Sequence, residues 1–360
     1  MKNILIIKTS AAGDIIHTYP VIEFLRKKFP HAAIDWVVES SCASLVSAHP
    51  DIDRTLVVET KQWRKKAFSR KTLSELKGFI HLLREREYDV VFDLQGNFKS
   101  GLLLSLAKSP QKVGFGFNSI AEWPNLLFTN LRFNPLEPVE KYSIRLDYLL
   151  VVCQFFDGGL NDVTLARSVI ANPVTLKLLP DQKKTVDAYV TDNQMPVMVC
   201  PGSAWPNKQL DIKTLIEFLR LVHKALGCKF LLTWGSPEEY EMVKALNREF
   251  PHHSTLINKM SLPSLQHLMQ SCKLVIAMDS LPLHLCGTTS TPSFSVFGPS
   301  SANKYQPPGK QHRAFQGTCP YGRTFTKRCP ILRTCPTGAC IRSLSADDLF
   351  SHFMQWWPTV

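Results

Sequence analysis

The chain has 360 residues, a length that suggests two domains. Apolar residues make up 44% of it, enough for full cores, which excludes a wholly disordered protein. Lys and Arg number 42 against 30 Asp and Glu, a formal charge of +12, which draws the protein to anionic partners such as nucleic acid, acidic lipid or phosphorylated substrates without choosing among them.

The opening MKNILIIKTS has an apolar run that stops at Ile7, too short for a signal-peptide core or a membrane span. A cytoplasmic protein is expected, with contact to a membrane surface left open. Residues 3–7 read as a strand, and Val21, Phe24 and Leu25 give one face of a helix running to Pro30. Strands are expected at 33–38, 54–58 and 89–94, the last followed by a helix over 98–107. Short strands alternating with helices predict a parallel sheet covered on both faces. The pattern becomes irregular over 156–180, around Gly158, Gly159, Pro173 and Pro180, the expected domain boundary. A second alternating series follows: strand 196–200, helix 211–226, strand 229–233, helix 237–249, strand 254–257, helix 262–271, strand 273–278, helix 282–288, strand 293–297. The expected organisation is an α/β, doubly wound, Rossmann-like domain over 1–168, a second over 180–341, and a final helix over 342–360. Its apolar Leu349, Phe350, Phe353 and Trp357 are expected to pack back on the first domain. Two such domains facing each other bind ligands between the C-terminal edges of their strands.

The loop after the first strand, Lys8-Thr9-Ser10-Ala11-Ala12-Gly13-Asp14, has small residues that let the backbone approach a ligand. Its single Gly13 is not the three-glycine dinucleotide fingerprint, which argues against a dehydrogenase. Asp14 suits a general base better than a pyrophosphate contact. Its bland alternative is a helix cap.

The segments ILIIKTSAAGDIIHTYP, IDWVVE and YDVVFDLQGNFKS resemble the heptosyltransferases of glycosyltransferase family 9, and the resemblance continues into the second half. It implies the two-domain α/β arrangement called GT-B, with an acceptor-binding N-terminal domain and a nucleotide-sugar-binding C-terminal domain around a central cleft. It implies an inverting transfer of heptose from ADP-heptose to Kdo-lipid A at the inner-membrane surface. Asp14 matches the family's proposed base. In Cys200-Pro201-Gly202-Ser203-Ala204-Trp205-Pro206-Asn207-Lys208 the resemblance assigns Lys208 to the leaving diphosphate and Ser203 to the donor. A fixed cation there lowers the barrier to ADP departure. WGSPEE resembles a nucleoside-binding segment and points to Glu239, and Met260 matches a position near adenine. Met278-Asp279-Ser280-Leu281-Pro282-Leu283-His284 resembles the family's Asp-Ser/Thr-Gly-x-x-His diphosphate segment. Leu281 stands where the family has glycine, a costly change if the backbone there has positive φ or must approach the ligand closely.

Residues 61–71 hold six cations among eleven residues, with Trp63 and Phe68 interleaved. This fits a solvated loop, nucleic acid, or an acidic phosphorylated lipid. The resemblance selects the last and assigns Lys61, Arg64, Lys65 and also Lys99 to the acceptor, while the family's arginine near position 121 is here Ala121. Cys319, Cys329, Cys335 and Cys340 are spaced C-x9-C-x5-C-x4-C, without the CxxC knuckles that mark zinc. Four thiolates could still close a tetrahedral structural zinc site, but free thiols in a Pro-rich extension are the expectation, with no catalytic metal and no cofactor. Two rival classes are a nucleotide-sugar-binding relative that does not transfer, or transfers with another specificity, and a basic nucleic-acid-binding protein, which would leave the paired loops unexplained.

Overall fold

A computed structural model describes residues 1–66, 69–135, 143–157, 169–190 and 196–357. Phe68, Gly158 and Gly159, which figured in the basic patch and the expected boundary, lie outside them. The chain divides into two compact units, the first ending at Asn172 and the second running from Pro173.

The first unit is built on β1 (Asn3–Ile7), β2 (Ala33–Glu39), β3 (Arg54–Val58), β4 (Val90–Asp93), β5 (Lys112–Phe115) and β6 (Leu131–Phe133). Among the described residues these form one six-stranded sheet, ordered β3-β2-β1-β4-β5-β6, with every pairing parallel. Ile4 to Ile7 are fully buried, as a strand covered on both faces requires. The helix expected from Ile16 to Pro30 is two, Ala12–His17 and Tyr19–Lys28, with Pro20 in the first turn of the second. Proline is accepted there because its missing N–H has no partner in a helix's first turn.

The second unit repeats the design with β7 (Pro196–Cys200), β8 (Lys229–Leu232), β9 (Ser254–Leu256), β10 (Leu274–Met278), β11 (Ser293–Phe297) and β12 (His312–Gln316), ordered β12-β11-β10-β7-β8-β9. The helix Ile212–Leu226 buries Leu215, Phe218, Leu219 and Val222 on one stripe. Asp211 caps its start by accepting from Lys213 N–H at 3.0 Å, and Gly227, at φ 60°, ends it. These are the two doubly wound sheets of the GT-B fold.

The final helix, Ala346–Trp356, corrects an expectation. It was expected to pack on the first domain; its buried Leu349, Phe353 and Trp356 instead join the core of the second unit with Phe218 and Phe294. The Phe353 ring lies edge-on to Phe294 at 5.4 Å and to Phe218 at 6.2 Å. An apolar stripe announces a buried face but not which core receives it. Phe353→Ala should lower unfolding free energy by about 3–5 kcal/mol, measured by denaturant titration. No helix among the described residues is long and apolar enough to cross a membrane.

Candidate functional site

In each sheet the strand order reverses at one point, between β1 and β4 in the first and between β7 and β10 in the second. Loops leaving the carboxyl ends of strands splay apart at such a point and leave a crevice for a ligand. Asp14 follows β1. Ser203 and Lys208 follow β7, and Asp279 to His284 follow β10.

In the first unit the loop after β1 is clamped from β4's side. The Gln95 side-chain oxygen accepts the N–H groups of Thr9 and Ser10, each at 3.1 Å. Behind it the buried Asp93 carboxylate accepts the N–H groups of Gln95 and Gly96 and side-chain bonds from Ser100 and Asn125. Asp14 lies in the first turn of Ala12–His17, half-buried, and accepts Ala11 N–H at 3.3 Å. It thus has the local capping contact of an ordinary helix-start aspartate while remaining open to solvent. Lys8 is buried at the base of the loop, donating to the Leu94 carbonyl at 3.0 Å and the Tyr148 hydroxyl at 3.1 Å. Burial lowers its pKa, against the opposing charges of Asp14 and Asp93.

Lys61, Arg64 and Lys65 are exposed on the short helix Thr60–Lys65, which follows β3, and Lys99 is exposed at the start of Phe98–Leu106, which follows β4. Both helices begin at the edge of the sheet that carries Asp14. Burial pushes the Cys42 thiol up; the Ser41 hydrogen bond and the charge of Lys61 lower it, and the charges of Glu39 and Asp14 raise it. Trp63 is not a free stacking platform. It packs on Phe79 with ring centroids 5.9 Å apart and donates its indole N–H to Glu75 at 3.0 Å.

In the second unit the predicted residues cluster. The Lys208 ammonium meets Asp279 Oδ2 at 2.5 Å, and His284 Nε2 lies 3.6 Å from Asp279 Oδ1. All three are buried. Ser203 Oγ donates to the Asp279 carbonyl at 3.5 Å, and Gln209 holds the Ser203 carbonyl at 2.7 Å. Burial by itself raises the Asp279 carboxyl; the charges of Lys208 and His284, with the hydrogen bond from Lys208 and the nearby Ser300 hydroxyl, outweigh it and hold the pKa below the ordinary range. A depressed carboxyl stabilises the fold above its unfolded pKa of about 3.9 and loses that contribution as pH falls through the folded value. Asp279→Asn should therefore flatten the acid limb of a plot of Tm against pH below about 4, where the parent protein's stability falls off.

Leu281 is the first residue of the helix Leu281–Cys286, and among the described residues no non-glycine residue has positive φ. The glycine of the family's segment is therefore not needed here for backbone reasons. Glu239 lies in the first turn of Pro237–Glu249 and accepts Gly235 N–H at 2.7 Å. Its carboxylate rests on Gly202: a Cβ there would lie 2.3 Å from Glu239 Oε1. A side chain at this position would displace the Glu239 carboxylate. Met260 is half-buried and follows Lys259, whose ammonium stands 5.9 Å from the centre of the Trp234 ring.

Sequence reasoning did not single out Ser300, Gln95 or Asn207. Ser300 ends another strand-to-small-residue turn, Phe297-Gly298-Pro299-Ser300, of the kind that flagged Ser203. Gln95 stands between β4 and the helix Phe98–Leu106, and nothing local shows that its side chain reaches 86 residues back.

The lipopolysaccharide heptosyltransferase 1 of Escherichia coli K12 is 27% identical over 82% of this chain and 88% of its own length. The enzyme of the same name from Campylobacter coli is 29% identical over 84% of this chain and 86% of its own. The structure of Escherichia coli heptosyltransferase WaaC with ADP superposes with a TM-score of 0.75 at 24% identity, covering 98% of this chain and 99% of that one. The sequence model of glycosyltransferase family 9 (heptosyltransferase) matches residues 77–334. With that match spanning most of the chain, the protein belongs to glycosyltransferase family 9, the heptosyltransferases.

Proposed function

We propose that this protein transfers heptose from ADP-heptose to the Kdo region of lipid A, in lipopolysaccharide inner-core synthesis, by one in-line displacement with inversion at the anomeric carbon. The observation that carries the donor half is the buried Lys208–Asp279–His284 cluster at the second sheet's switch point. A carboxylate repels a diphosphate, so Asp279 acts by holding Lys208 and His284 in place. Lys208 meets the charge that builds on the β-phosphate as ADP leaves. Ser203, Ser280 and the backbone beside Leu281 add hydrogen bonds, and Glu239 and Met260 lie on the nucleoside side. Asp14 takes the proton of the attacking acceptor hydroxyl, which then displaces ADP from the anomeric carbon.

The acceptor half rests on the relatives named lipopolysaccharide heptosyltransferase 1 and on exposed Lys61, Arg64, Lys65 and Lys99. Cations at the edge that carries Asp14 suit an acceptor bearing carboxylates and phosphates. A lipid acceptor places the enzyme on the cytoplasmic face of the inner membrane as a peripheral protein. Protein side chains supply the positive charge, so adding EDTA with the substrates should leave the initial rate unchanged. Acceptor choice separates this reading from its neighbours. Offered Kdo-lipid A and the same acceptor already carrying one heptose, the protein should use the first. Preference for the second would assign a later heptose, and ADP-heptose binding with transfer to neither would indicate a relative that only binds.

A further inference from the structure

The Pro-rich extension between β12 and the final helix contains four cysteines that the transfer chemistry does not use. Cys319, Cys329, Cys335 and Cys340 all line one small cavity, with Asn207 and Phe325 among its walls. All four are half-buried and none is in a disulfide. The other three thiols lie within electrostatic reach of Cys340.

The backbone around the cavity is shaped to the sulfurs. Gly338, at φ 58°, turns its N–H onto Cys335 Sγ at 3.4 Å. Cys340 passes so close to two glycines that a Cβ on Gly298 would lie 3.2 Å from Cys340 Sγ, and one on Gly317 would lie 1.9 Å from the Cys340 carbonyl oxygen. Cys329 N–H donates to the Pro299 carbonyl at 2.8 Å, which anchors that cysteine to the turn after β11. Cysteines from four separate points of a loop thus line one cavity although the spacing lacks a CxxC pair.

We propose that these four cysteines form a structural site for one thiophilic divalent cation, zinc or ferrous iron, held by four thiolates. Such a ligand set is tetrahedral and leaves no open position for a substrate, which makes the ion structural and not catalytic. Among the described residues no three His, Cys, Asp or Glu side chains are already set around an ion position. The site therefore closes as the ion arrives, by rotation of the cysteine side chains. Each sulfur that binds releases its proton to solvent, up to four per ion.

The cavity wall also supports the donor loop. Asn207 donates to the carbonyls of Leu332 and Cys335, each at 2.9 Å. Arg342 donates to the Pro206 carbonyl at 3.2 Å, and the Arg333 guanidinium stands 4.3 Å from the centre of the Trp205 ring. An ion among the cysteines fixes the surface on which the turn leading into Lys208 rests.

The test uses the full chain, purified anaerobically with a reductant and analysed for metals by plasma mass spectrometry. It is then stripped with a chelator and titrated with Co²⁺. The expected result is about one zinc or iron per chain as purified, as four ligands to one ion require, and a strong thiolate-to-cobalt absorption that added zinc abolishes. The metal content itself distinguishes zinc from iron. Cys335→Ser and Cys340→Ser should each lose the absorption, whereas Cys42→Ala, in the other unit, should keep it. Absence of both bound metal and the cobalt spectrum in the unaltered protein overturns the proposal without any variant having to fold. So does an unchanged spectrum in a folded Cys335→Ser/Cys340→Ser double variant.

Discussion

Asp14→Ala is expected to lower turnover by about 10²–10⁴-fold, the usual contribution of a general base, while leaving ADP-heptose affinity close to that of the parent. The separation follows from the architecture. Asp14 belongs to the first unit's switch point, whereas the side chains proposed to hold the donor belong to the second unit. The variant also loses the bond from Ala11 N–H, an exposed contact worth about 0.5–1.5 kcal/mol as for a typical hydrogen bond. Asp14→Asn keeps a side-chain oxygen for that N–H but cannot accept a proton usefully. If Asp14 is only a cap, Asp14→Asn should restore turnover; if it is the base, both variants should be equally slow at saturating substrates.

Lys208→Ala should be damaging in two distinguishable ways. It leaves the buried Asp279 carboxylate without its strongest partner, and breaking a buried pair from one side typically costs about 3–5 kcal/mol. It also removes the charge that meets departing ADP, which should lower kcat by about 10²–10³-fold, the scale seen when one transition-state donor is deleted. Removing both charges separates the effects. Lys208→Met with Asp279→Leu should recover most of the stability, because apolar residues of similar volume often replace a buried ion pair without loss. It should recover none of the turnover. A double variant that is stable and turns over normally would leave the pair with a structural role alone. Thermal unfolding and single-turnover kinetics on the three proteins decide the matter.

The elements that form the crevices were legible because buried parallel strands are short apolar runs. NILII, RTLVV, PVMVC and SFSVF each proved to be a strand with the expected ends. Three strands gave no such signal. KVGF and LRF are brief, and HRAFQ is a polar edge strand paired on one side only. The helix Arg70–Arg84 was obscured by the basic run that enters it, and its capping Ser69 is the local mark that betrays the start. The arrangement of the candidate site was not legible. Motifs named Lys208, Asp279 and His284, but no local pattern states that Lys208 and Asp279, 71 residues apart, share a buried bond. The part of the concern over Leu281 that rests on a left-handed backbone came from carrying a glycine requirement across without the angle, and the observed angle answers that part. The final helix shows the same limit. Its spacing reveals a buried face, and only the folded chain shows that Phe218 and Phe294 receive it.

The most direct test of the proposed reaction is transfer from ADP-heptose to purified Kdo-lipid A, followed by mass spectrometry of the lipid, with Asp14→Ala in parallel. The expected result is addition of one heptose by the parent protein and none by the variant over the same interval. A parent protein that binds ADP-heptose yet adds no heptose, or a variant that adds it at the parent's rate, would contradict the assignment.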